Sequence, residues 1–265
     1  MSEPFLKGKT VIVTGASSGI GRQMARECAR LGANLILIAR SVDRLERLKN
    51  EITMQHEVQV DVRPLDLGDS EAVKISFEAI KLEYHEIHVL INNAGFGIFD
   101  TFAEARLEDI DHMFRVNVLG LMTVTRLVLP KMLQQGTGHI INVASIAGKI
   151  ATPRSTVYSA TKHAVLGFSN GLRMELAGTG VHVTAVNPGP IRTNFFNVAD
   201  PEGFYTKKVG RFMITPENVA QKVVAAIGTR KREINLPRSM DFGARVYQWF
   251  PGLVERIAGP LFNKK

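Results

Sequence analysis

Short apolar runs alternate with longer segments of helical periodicity from the N-terminus to about residue 236. Most of these runs are continuously apolar rather than alternating, which is typical of strands that are buried on both faces. They predict seven strands, at residues 10–14, 34–39, 58–65, 89–92, 139–143, 182–187 and 233–236. The periodic segments predict helices at residues 20–31, 41–54, 70–82, 107–134, 158–177 and 216–227. The alternation predicts the α/β class, with a doubly wound parallel sheet and right-handed crossovers.

The chain shows no internal repeat and no linker rich in Pro, Gly or Ser, so a single domain is predicted over residues 1–238. Residues 188–215 interrupt the alternation with a long segment that contains several Phe and Tyr residues. Because loops of this length inside a compact domain are usually functional or mobile, we expect this segment to border a substrate. Residues 239–265 form a second departure, an amphipathic C-terminal extension whose helical spacing is interrupted by Pro251.

A turn with three glycines joins the first predicted strand to the first predicted helix, with the spacing G-x-x-x-G-x-G. The first glycine permits a tight turn, and the later ones let the backbone and the helix approach closely. The N-terminus of the helix offers unpaired N–H groups to a pyrophosphate. The dinucleotide site predicted at this turn comprises Gly15, Ser17, Ser18, Gly19, Ile20 and Gly21.

The same turn also matches G-x-S-x-G, the nucleophile elbow of α/β-hydrolases. That elbow requires preceding strands, an oxyanion-hole loop, and then an acid and a histidine later in the chain. Here the motif follows the first strand, about 15 residues into the chain. A motif without its structural context is weak, so a hydrolase is disfavoured.

The residues after the second predicted strand discriminate between the two nicotinamide dinucleotides. A site that prefers NAD places an Asp or Glu here, where it accepts a hydrogen bond from the ribose 2′-hydroxyl. This sequence has Ala39, Arg40 and Ser41 instead. Because a permanently charged guanidinium suits a 2′-phosphate, Arg40 favours NADP(H) over NAD(H) as the cofactor. Arg44 is either a second phosphate ligand or a solvated charge on a helix face.

Asp66 and Leu67 follow the third predicted strand, and we expect them to meet the adenine base. Capping of the helix that begins near Ser70 is an alternative explanation for Asp66.

Tyr158 and Lys162 lie four positions apart at the start of a predicted helix, so their side chains share one helix face. Ser145 lies 13 residues before Tyr158, at the end of the preceding predicted strand. With further motifs in the same order, these residues resemble the short-chain dehydrogenase/reductase family. The further motifs are the glycine turn, Asn-Asn-Ala-Gly at 92–95, Asn117 and Asn-Pro-Gly at 187–189. The resemblance covers about residues 5–237 and implies a Rossmann fold.

The resemblance implies a catalytic set of Asn117, Ser145, Tyr158 and Lys162. Hydride transfer to a carbonyl carbon leaves charge on its oxygen, so a proton must arrive there. A free tyrosine has a pKa of about 10, which we expect Lys162 and the nicotinamide ribose to lower. Tyr158 would then be the acid in reduction and the base in oxidation, while Ser145 polarises the substrate carbonyl. Lys162 would also hold the ribose hydroxyls, and Asn117 would position a water as a proton relay.

The same resemblance implies cofactor contacts at Asn93, Ala94, Gly95, Tyr158, Lys162, Pro188, Gly189, Ile191 and Thr193. The Pro-Gly pair would lie along the nicotinamide, and the two residues after it would meet the carboxamide or the phosphates. Each residue alone has an ordinary structural explanation, such as a Pro-Gly turn, a helix-capping Ser or a helix-breaking Asn.

Net charge divides the chain into a nearly neutral body and a basic C-terminal quarter. The chain has 33 Lys and Arg and 25 Asp and Glu, a formal net charge of +8. Residues 1–200 contribute +1, and residues 201–265 contribute +7. Because a nucleic-acid-binding protein spreads its basic face more uniformly, no nucleic-acid partner is predicted.

Cysteine and histidine usage disfavours disulfides and metals. Cys28 is the only cysteine, so no intrachain disulfide and no Cys-based zinc site fits. His163 and His182 lack a partner at metal-ligand spacing, so no metal is predicted. No apolar run approaches the length needed to span a bilayer, and residues 1–4 lack the features of a secretory signal. A cytoplasmic protein is therefore expected.

Two classes of function remain open from the sequence. The first is an NADP(H)-dependent reductase of a hydrophobic carbonyl, or the reverse oxidation of a secondary alcohol. The second is a non-catalytic dinucleotide-binding sensor or scaffold, which the fold alone does not exclude. The complete catalytic set favours the enzyme, because binding alone has no chemical need for all four residues.

The C-terminal extension has two interpretations. Aromatic and aliphatic residues at helical spacing, with basic residues nearby, suit an anionic membrane surface. The favoured interpretation is a kinked helix that packs over the substrate mouth or on a partner subunit. The resemblance also implies a homodimer or homotetramer joined through the helices at 107–134 and 158–177.

Overall fold

The computed structural model describes the backbone of residues 5–263 and the side chains of residues 5–257 except Lys208 and Arg211. Seven strands lie where the sequence predicts them: β1 (Thr10–Thr14), β2 (Asn34–Ala39), β3 (Val60–Pro64), β4 (Val89–Asn92), β5 (Gly138–Val143), β6 (Val181–Pro188) and β7 (Glu233–Leu236). They form one parallel sheet in the order β3-β2-β1-β4-β5-β6-β7. The order extends outward in both directions from β1 and β4, which confirms the doubly wound Rossmann fold.

Helices cover both faces of this sheet. In chain order they are α1 (Gly19–Arg30), α2 (Val42–Gln55), α3 (Ser70–Glu83), α4 (Leu107–Phe114), α5 (Leu121–Gln135), α6 (Thr156–Glu175), α7 (Phe195–Ala199), α8 (Phe204–Val209), α9 (Pro216–Val224), α10 (Arg238–Trp249) and α11 (Pro251–Asn263). Alternate residues of β1 enter different apolar layers: Val11 and Val13 pack with Met24 of α1, whereas Ile12 packs with Phe77 of α3. The sheet is therefore buried on both faces, as its continuously apolar strands predict.

The edge strand β3 is shorter than the sequence predicts. The expected strand spans residues 58–65, whereas β3 spans Val60–Pro64. Its neighbour is β2, and the register pairs Leu35 with Val60 near the start of β2. Val58 lies before this register, so it lacks the inter-strand partner that would extend the ladder. The apolar character of Val58 predicts that it belongs to the strand, but no residue of β2 lies opposite Val58 to pair with it.

The long predicted helix at 107–134 contains an irregularity at its centre. Between α4 and α5, residues Arg115–Gly120 form a π-helical turn, and the helical path as a whole runs over Leu107–Gln135. This path is long and apolar enough to cross a membrane by length and composition, although it contains no uninterrupted apolar run of that length. Half of its most apolar window is buried inside the protein.

The segment at 188–215 is not a structureless loop. It contains α7, α8 and a 3₁₀ turn at Gly210–Phe212. The extension that follows β7 folds into two helices, α10 and α11, which meet at Phe250 and Pro251. The division into a domain at 1–238 and an extension at 239–265 remains a prediction.

A largely buried lysine, Lys149, links the C-terminal extension to the sheet. Lys149 is 9% exposed, and its Nζ lies 2.7 Å from Glu233 Oε2 of β7 and 3.0 Å from Asp241 Oδ1 of α10. It also donates to Asn235 Oδ1 at 3.2 Å. Burial raises the pKa of both carboxyl groups, but the hydrogen bond and charge of Lys149 outweigh burial and hold each pKa below its ordinary value. One ammonium group thus joins the edge strand to the first helix of the extension.

Replacing Lys149 with Met is expected to lower the free energy of unfolding by about 2 kcal/mol, because two largely buried carboxylates lose their most buried cation and its hydrogen bonds. Arg245 still lies 3.1 Å from Asp241 and Arg232 3.8 Å from Glu233, which limits the loss. Urea denaturation measures this change. Since both native pKa values are lowered, the stabilisation is complete at neutral pH and is lost as the pH falls through those values. The difference between the wild type and Lys149→Met should therefore narrow in acid.

The matched control is Lys222→Met, which removes an exposed lysine of α9. This control should leave the free energy of unfolding within about 0.5 kcal/mol of the wild type. Equal losses for the two variants, or a difference that does not narrow in acid, would contradict the proposed anchor.

Candidate active site

A crevice runs along the carboxyl edge of the sheet, where the strand order reverses between β1 and β4. Open parallel sheets bind their ligands at such a switch point. The predicted site residues that line this crevice are Gly15, Ser17, Ser18, Gly19, Ile20, Arg40, Asp66, Leu67, Asn93, Ala94, Gly95, Ser145, Tyr158, Lys162, Pro188, Gly189, Ile191 and Thr193. Gly21 and Asn117 lie outside this lining. The structure thus brings all but two of the predicted residues to one surface.

The glycine turn requires glycine for two different reasons. Gly15 and Gly19 have φ values of +66° and +56°, in the left-handed region that side chains disfavour. A Cβ on Gly15 would also lie 2.8 Å from Ala94 Cα. At Gly21, a Cβ would overlap the Gly15 carbonyl oxygen and the Asn93 side-chain amide. Gly21 therefore lets α1 approach the turn rather than contact a ligand.

Thr14, which the sequence analysis did not select, joins this turn to the one after β4. Its Oγ1 accepts hydrogen bonds from the backbone N–H groups of Asn93 (3.0 Å) and Ala94 (3.1 Å). In return, Asn93 Nδ2 donates to the carbonyl oxygens of Thr14 (2.9 Å) and Gly15 (3.2 Å). The Asn93 amide group is committed to these contacts, so Asn93 shapes the crevice more than it offers a free donor. A Thr at the end of β1 is the sequence signal for this contact.

The N-terminus of α1 fits a phosphate group. Ser18 is the N-cap residue, and its side chain makes no capping hydrogen bond. The first N–H groups of the helix therefore lack a side-chain partner at the cap, which is the arrangement that binds phosphates. Across the crevice, the methyl carbon of Thr193 would lie 3.5 Å from a Cβ on Gly19, so the 188–193 segment faces the glycine turn. These two segments form a cradle for an extended dinucleotide.

Two arginines define the end of the crevice beside β2. Arg40 is 71% exposed, and its Nη1 lies 3.9 Å from Asp66 Oδ2. Arg44 lines the same end. Asp66 Oδ1 accepts from the Gly68 N–H at 2.9 Å, whereas Asp69 caps α3. The alternative explanation of Asp66 as the helix cap is therefore wrong.

Ser145, Tyr158 and Lys162 lie together at the end of β5 and the start of α6, and all three side chains are buried. Ser145 Oγ accepts from the Ala147 N–H at 3.1 Å and donates to the Pro188 carbonyl oxygen at 3.4 Å. The serine caps a 3₁₀ turn, as its structural explanation suggests, and it also lowers the pKa of the neighbouring Tyr158. The structural and chemical explanations of Ser145 are thus compatible.

The expected lowering of the Tyr158 pKa is not found in the protein alone. Burial raises the pKa of Tyr158 above its ordinary value, and the neighbouring Ser145 hydroxyl, which lowers this pKa, opposes burial only in part. The Lys162 Nζ donates its hydrogen bond to the Val143 carbonyl oxygen at 2.9 Å. It lies over the Tyr158 ring, 5.7 Å from the ring centre. Burial also lowers the pKa of Lys162, to about 8. Burial therefore disfavours the charged forms of both side chains.

Asn117 lies in the π-helical turn, behind the crevice. Its Oδ1 accepts from the Phe96 N–H (3.0 Å), and its Nδ2 donates to the Phe96 carbonyl oxygen (2.8 Å) and to Thr161 Oγ1 (3.1 Å). A Cβ on Gly95 would lie 3.0 Å from Asn117 Oδ1 and 3.5 Å from Lys162 Nζ. The asparagine therefore sits next to Lys162 but uses its amide group to fix the backbone. Its role in a water relay remains a prediction.

Aromatic rings surround Tyr158 on the substrate side of the crevice. Phe99 and Phe195 lie 5.7 Å and 5.6 Å from the Tyr158 ring centre. Tyr205 lies 5.3 Å from Phe99 and stacks on Phe196 at 5.7 Å. Three of these rings belong to the 188–215 segment. That this segment borders a substrate remains a prediction. The sequence analysis missed Phe99, although an aromatic cluster directly after the Asn-Asn-Ala-Gly motif marks it.

The C-terminal extension closes one side of the same crevice. Met240, Gly243 and Ala244 of α10 and Val254 of α11 contribute to its lining. A Cβ on Gly189 would lie 2.7 Å from Met240 Sδ, so α10 packs directly on the predicted nicotinamide turn. In the part of the chain that the structure describes, no group of three or more His, Cys, Asp or Glu side chains is arranged for a metal ion.

Comparison with known proteins gives a consistent result. Residues 9–202 match the sequence profile of a family described as short chain dehydrogenase. The chain is 34% identical over 280 aligned residues to ketoacyl reductase HetN of Nostoc sp., with 98% of this chain and 93% of that protein covered. It is 35% identical to an NADP-dependent 3-hydroxy acid dehydrogenase of Schizosaccharomyces pombe, with 89% and 93% covered. A short-chain dehydrogenase/reductase of Burkholderia phymatum, solved with NAD, superimposes with a TM-score of 0.86, 26% identity and 96% of each chain covered.

In the protein without bound ligand, Lys162 is expected to titrate near pH 8, because burial disfavours its ammonium form. Nuclear magnetic resonance of protein with labelled lysine side chains measures this titration. Lys162→Met identifies the signal by removing it, and Lys222→Met should leave it in place. A midpoint at the ordinary lysine value of about 10.4 would contradict the assignment.

Proposed function

The chain belongs to the short-chain dehydrogenase/reductase family of oxidoreductases, and from this premise we propose that it interconverts a hydrophobic carbonyl compound and its secondary alcohol with NADP(H). The observation that carries this proposal is the placement of Ser145, Tyr158 and Lys162. They lie buried and adjacent, at the junction between the dinucleotide cradle and an aromatic pocket.

The proposed chemistry assigns a separate task to each buried group. The dinucleotide, when bound, supplies or accepts the hydride. In reduction, the Tyr158 hydroxyl donates a proton to the carbonyl oxygen, where negative charge develops. Burial raises the pKa of this hydroxyl, which keeps it protonated but weakens it as an acid. Proton donation therefore needs a positive charge near the phenol oxygen, such as the Lys162 ammonium, to lower that pKa. The Ser145 hydroxyl holds the carbonyl oxygen and stabilises the Tyr158 oxygen after proton transfer.

Lys162 has the task of restoring the proton balance. In reduction, the Lys162 ammonium stabilises the phenolate left on Tyr158 and returns a proton to it. In oxidation, the neutral Lys162 amine accepts the proton that Tyr158 has taken from the alcohol. With a pKa lowered to about 8, Lys162 exchanges protons near neutral pH far more readily than an exposed lysine does. Lys162 alone would also serve a non-catalytic dinucleotide binder, through the ribose hydroxyls. Its grouping with the buried Ser145 and Tyr158, which binding does not require, favours an enzyme.

A hydrophobic substrate is supported by the lining of the pocket. Phe99, Phe195, Phe196 and Tyr205 supply an aromatic surface, and Thr152 and Ser155 add neutral polar groups. Such a surface favours the burial of apolar area over the binding of a charged compound. The preference for NADP(H) is supported by Arg40 and Arg44 beside the end of β2.

We further place this oxidoreductase in the cytoplasm, as a homodimer or homotetramer joined through the 107–135 helical path and α6. Exposed apolar side chains on these helices support an interface there. They include Leu119, Leu133 and Met174.

Tyr158→Phe should lower carbonyl reduction by about 10²- to 10⁴-fold, because the ring remains but its proton is removed. The measurement is NADPH oxidation with a panel of hydrophobic aldehydes and ketones. NADPH binding, followed by its fluorescence, should change little. Tyr84→Phe is the matched control, since Tyr84 hydrogen-bonds Asp61 away from the crevice. Turnover retained by Tyr158→Phe would refute the assigned acid.

Arg40→Ala should weaken NADPH binding by roughly 10- to 100-fold, because a charge-assisted contact to the 2′-phosphate is lost. Binding of NADH should change little, since it lacks that phosphate. The matched control is Arg47→Ala, which removes an exposed arginine of α2 and should leave the affinities for NADPH and NADH unaltered. A wild type that binds NADH more tightly than NADPH would overturn the cofactor proposal.

A further inference from the structure

We propose that the outer face of the C-terminal extension is a docking surface for an anionic membrane. The exposed apolar side chains of this docking surface are Phe242, Trp249, Phe250, Leu253 and Ile257. This proposal concerns where the protein works and goes beyond the proposed oxidoreductase activity.

The docking surface is held in a fixed orientation by its inner side. Asp241 and Ala244 are the buried residues of α10, and Asp241 is bound by Lys149. Met240 packs over Gly189. The helix α10 is thus attached to the sheet by an ion pair and by apolar contacts, and α11 packs on α10 and contributes to the crevice lining. The exposed apolar residues of the extension are therefore not the unsatisfied core of a loose helix.

The apolar residues lie on consistent faces of the two helices. Phe242 and Trp249 are seven positions apart in α10, which is two helical turns, and Leu253 and Ile257 are four apart in α11. Phe250 joins the two faces at the bend. Trp249 is 75% exposed and Phe242 is 71% exposed. Large aromatic side chains grouped at this exposure mark a binding surface, because single scattered ones need no explanation but a contiguous group does.

Basic residues accompany this surface. Arg238 and Arg256 are exposed in α10 and α11, and Arg245 is exposed as well but pairs with Asp241 at 3.1 Å. Among the described side chains of residues 238–257, the exposed acidic residue is Glu255. Residues 201–265 carry 7 of the 8 units of net positive charge. An apolar face with Trp, Phe and Leu beside arginines is the composition of helices that lie in the interface of anionic bilayers.

The charge also decides between a membrane and a second copy of the chain. An isologous contact would place the same arginines of both copies near one another. Anionic lipid headgroups instead neutralise them, each contributing about 1 kcal/mol near the surface. Trp249 in addition suits the headgroup level, where its ring is apolar and its N–H remains hydrated.

The docking surface borders the opening of the crevice. Val254 and Gly243 line the crevice, and they are neighbours in sequence of Leu253 and Phe242. Val198 of the 188–215 segment also lines the crevice and is exposed. A bilayer on this surface would therefore lie next to the substrate pocket, and a hydrophobic substrate would reach the pocket with little exposure to water. This last consequence rests on the proposed function, but the docking surface does not.

Trp249 makes the proposal directly measurable, because it is the only tryptophan in the chain. The full-length protein is mixed with vesicles of phosphatidylglycerol and phosphatidylcholine in equal parts, and with vesicles of phosphatidylcholine alone. We expect co-sedimentation with the anionic vesicles, a blue shift of the tryptophan emission, and quenching by brominated phosphatidylcholine. High salt should weaken the binding, because it screens the arginines.

Phe250→Ser and Leu253→Ser should each weaken vesicle binding by at least about tenfold, because each removes a large apolar side chain from the lipid contact. Both side chains are exposed, and circular dichroism checks that the variants stay folded. Met54→Ser is the matched control, since Met54 is 86% exposed on α2, far along the chain from the docking surface. It should bind vesicles as the wild type does.

Three outcomes would overturn the proposal. They are no binding of the wild type to anionic vesicles, equal weakening by Met54→Ser, and a blue shift that depends on protein concentration without vesicles. The third outcome would assign the surface to a second copy of the chain. None of these measurements uses NADPH or turnover, so a failure here is distinguishable from a failure of the proposed activity.

Discussion

The site depends on the contact between two turns that leave β1 and β4 in opposite directions. Thr14 Oγ1 binds two backbone N–H groups of the second turn, and Asn93 returns hydrogen bonds to the first. Glycine is required at Gly15 and Gly21 because the two turns and α1 leave no space for a Cβ. This close approach opens the crevice on one side and exposes the N-terminus of α1 to it. The remaining site residues are arranged around that opening.

Burial then determines the chemistry of the groups that the crevice brings together. It raises the pKa of Tyr158 and lowers that of Lys162, so each is disfavoured in its charged form. Passing a proton to a substrate therefore also requires a positive charge near the phenol oxygen, which lowers the pKa of Tyr158. The extension adds to this environment, because α10 packs on Gly189 and Lys149 fastens it to β7. The C-terminal helices thus belong to the site rather than to a separate appendage.

Most of the fold and much of the site can be predicted from the sequence, since local patterns determine them. Buried parallel strands are continuously apolar, and the glycine turn and the Tyr158–Lys162 spacing are local signals. The first residue of β3 could not be predicted, because it depends on where the neighbouring strand β2 begins. Lys149 could not be predicted, because its importance arises from contacts with carboxylates of β7 and α10, far away in the chain. Phe99 has a local signal, the aromatic residues directly after the Asn-Asn-Ala-Gly motif, which was not used. The raised pKa of Tyr158 was also unpredictable, because burial is a property of the whole fold and not of the Tyr-Lys spacing.

The central claim is that the dinucleotide cradle and the buried Tyr158, Ser145 and Lys162 form one site. The most direct measurement is a crystal structure of the protein with NADPH, read for the position of the nicotinamide ribose. The account predicts ribose hydroxyls within about 3 Å of Lys162 Nζ, with the nicotinamide against the Pro188 and Gly189 turn beside Tyr158. A nicotinamide ribose bound elsewhere, with Lys162 still donating to the Val143 carbonyl oxygen alone, would contradict it.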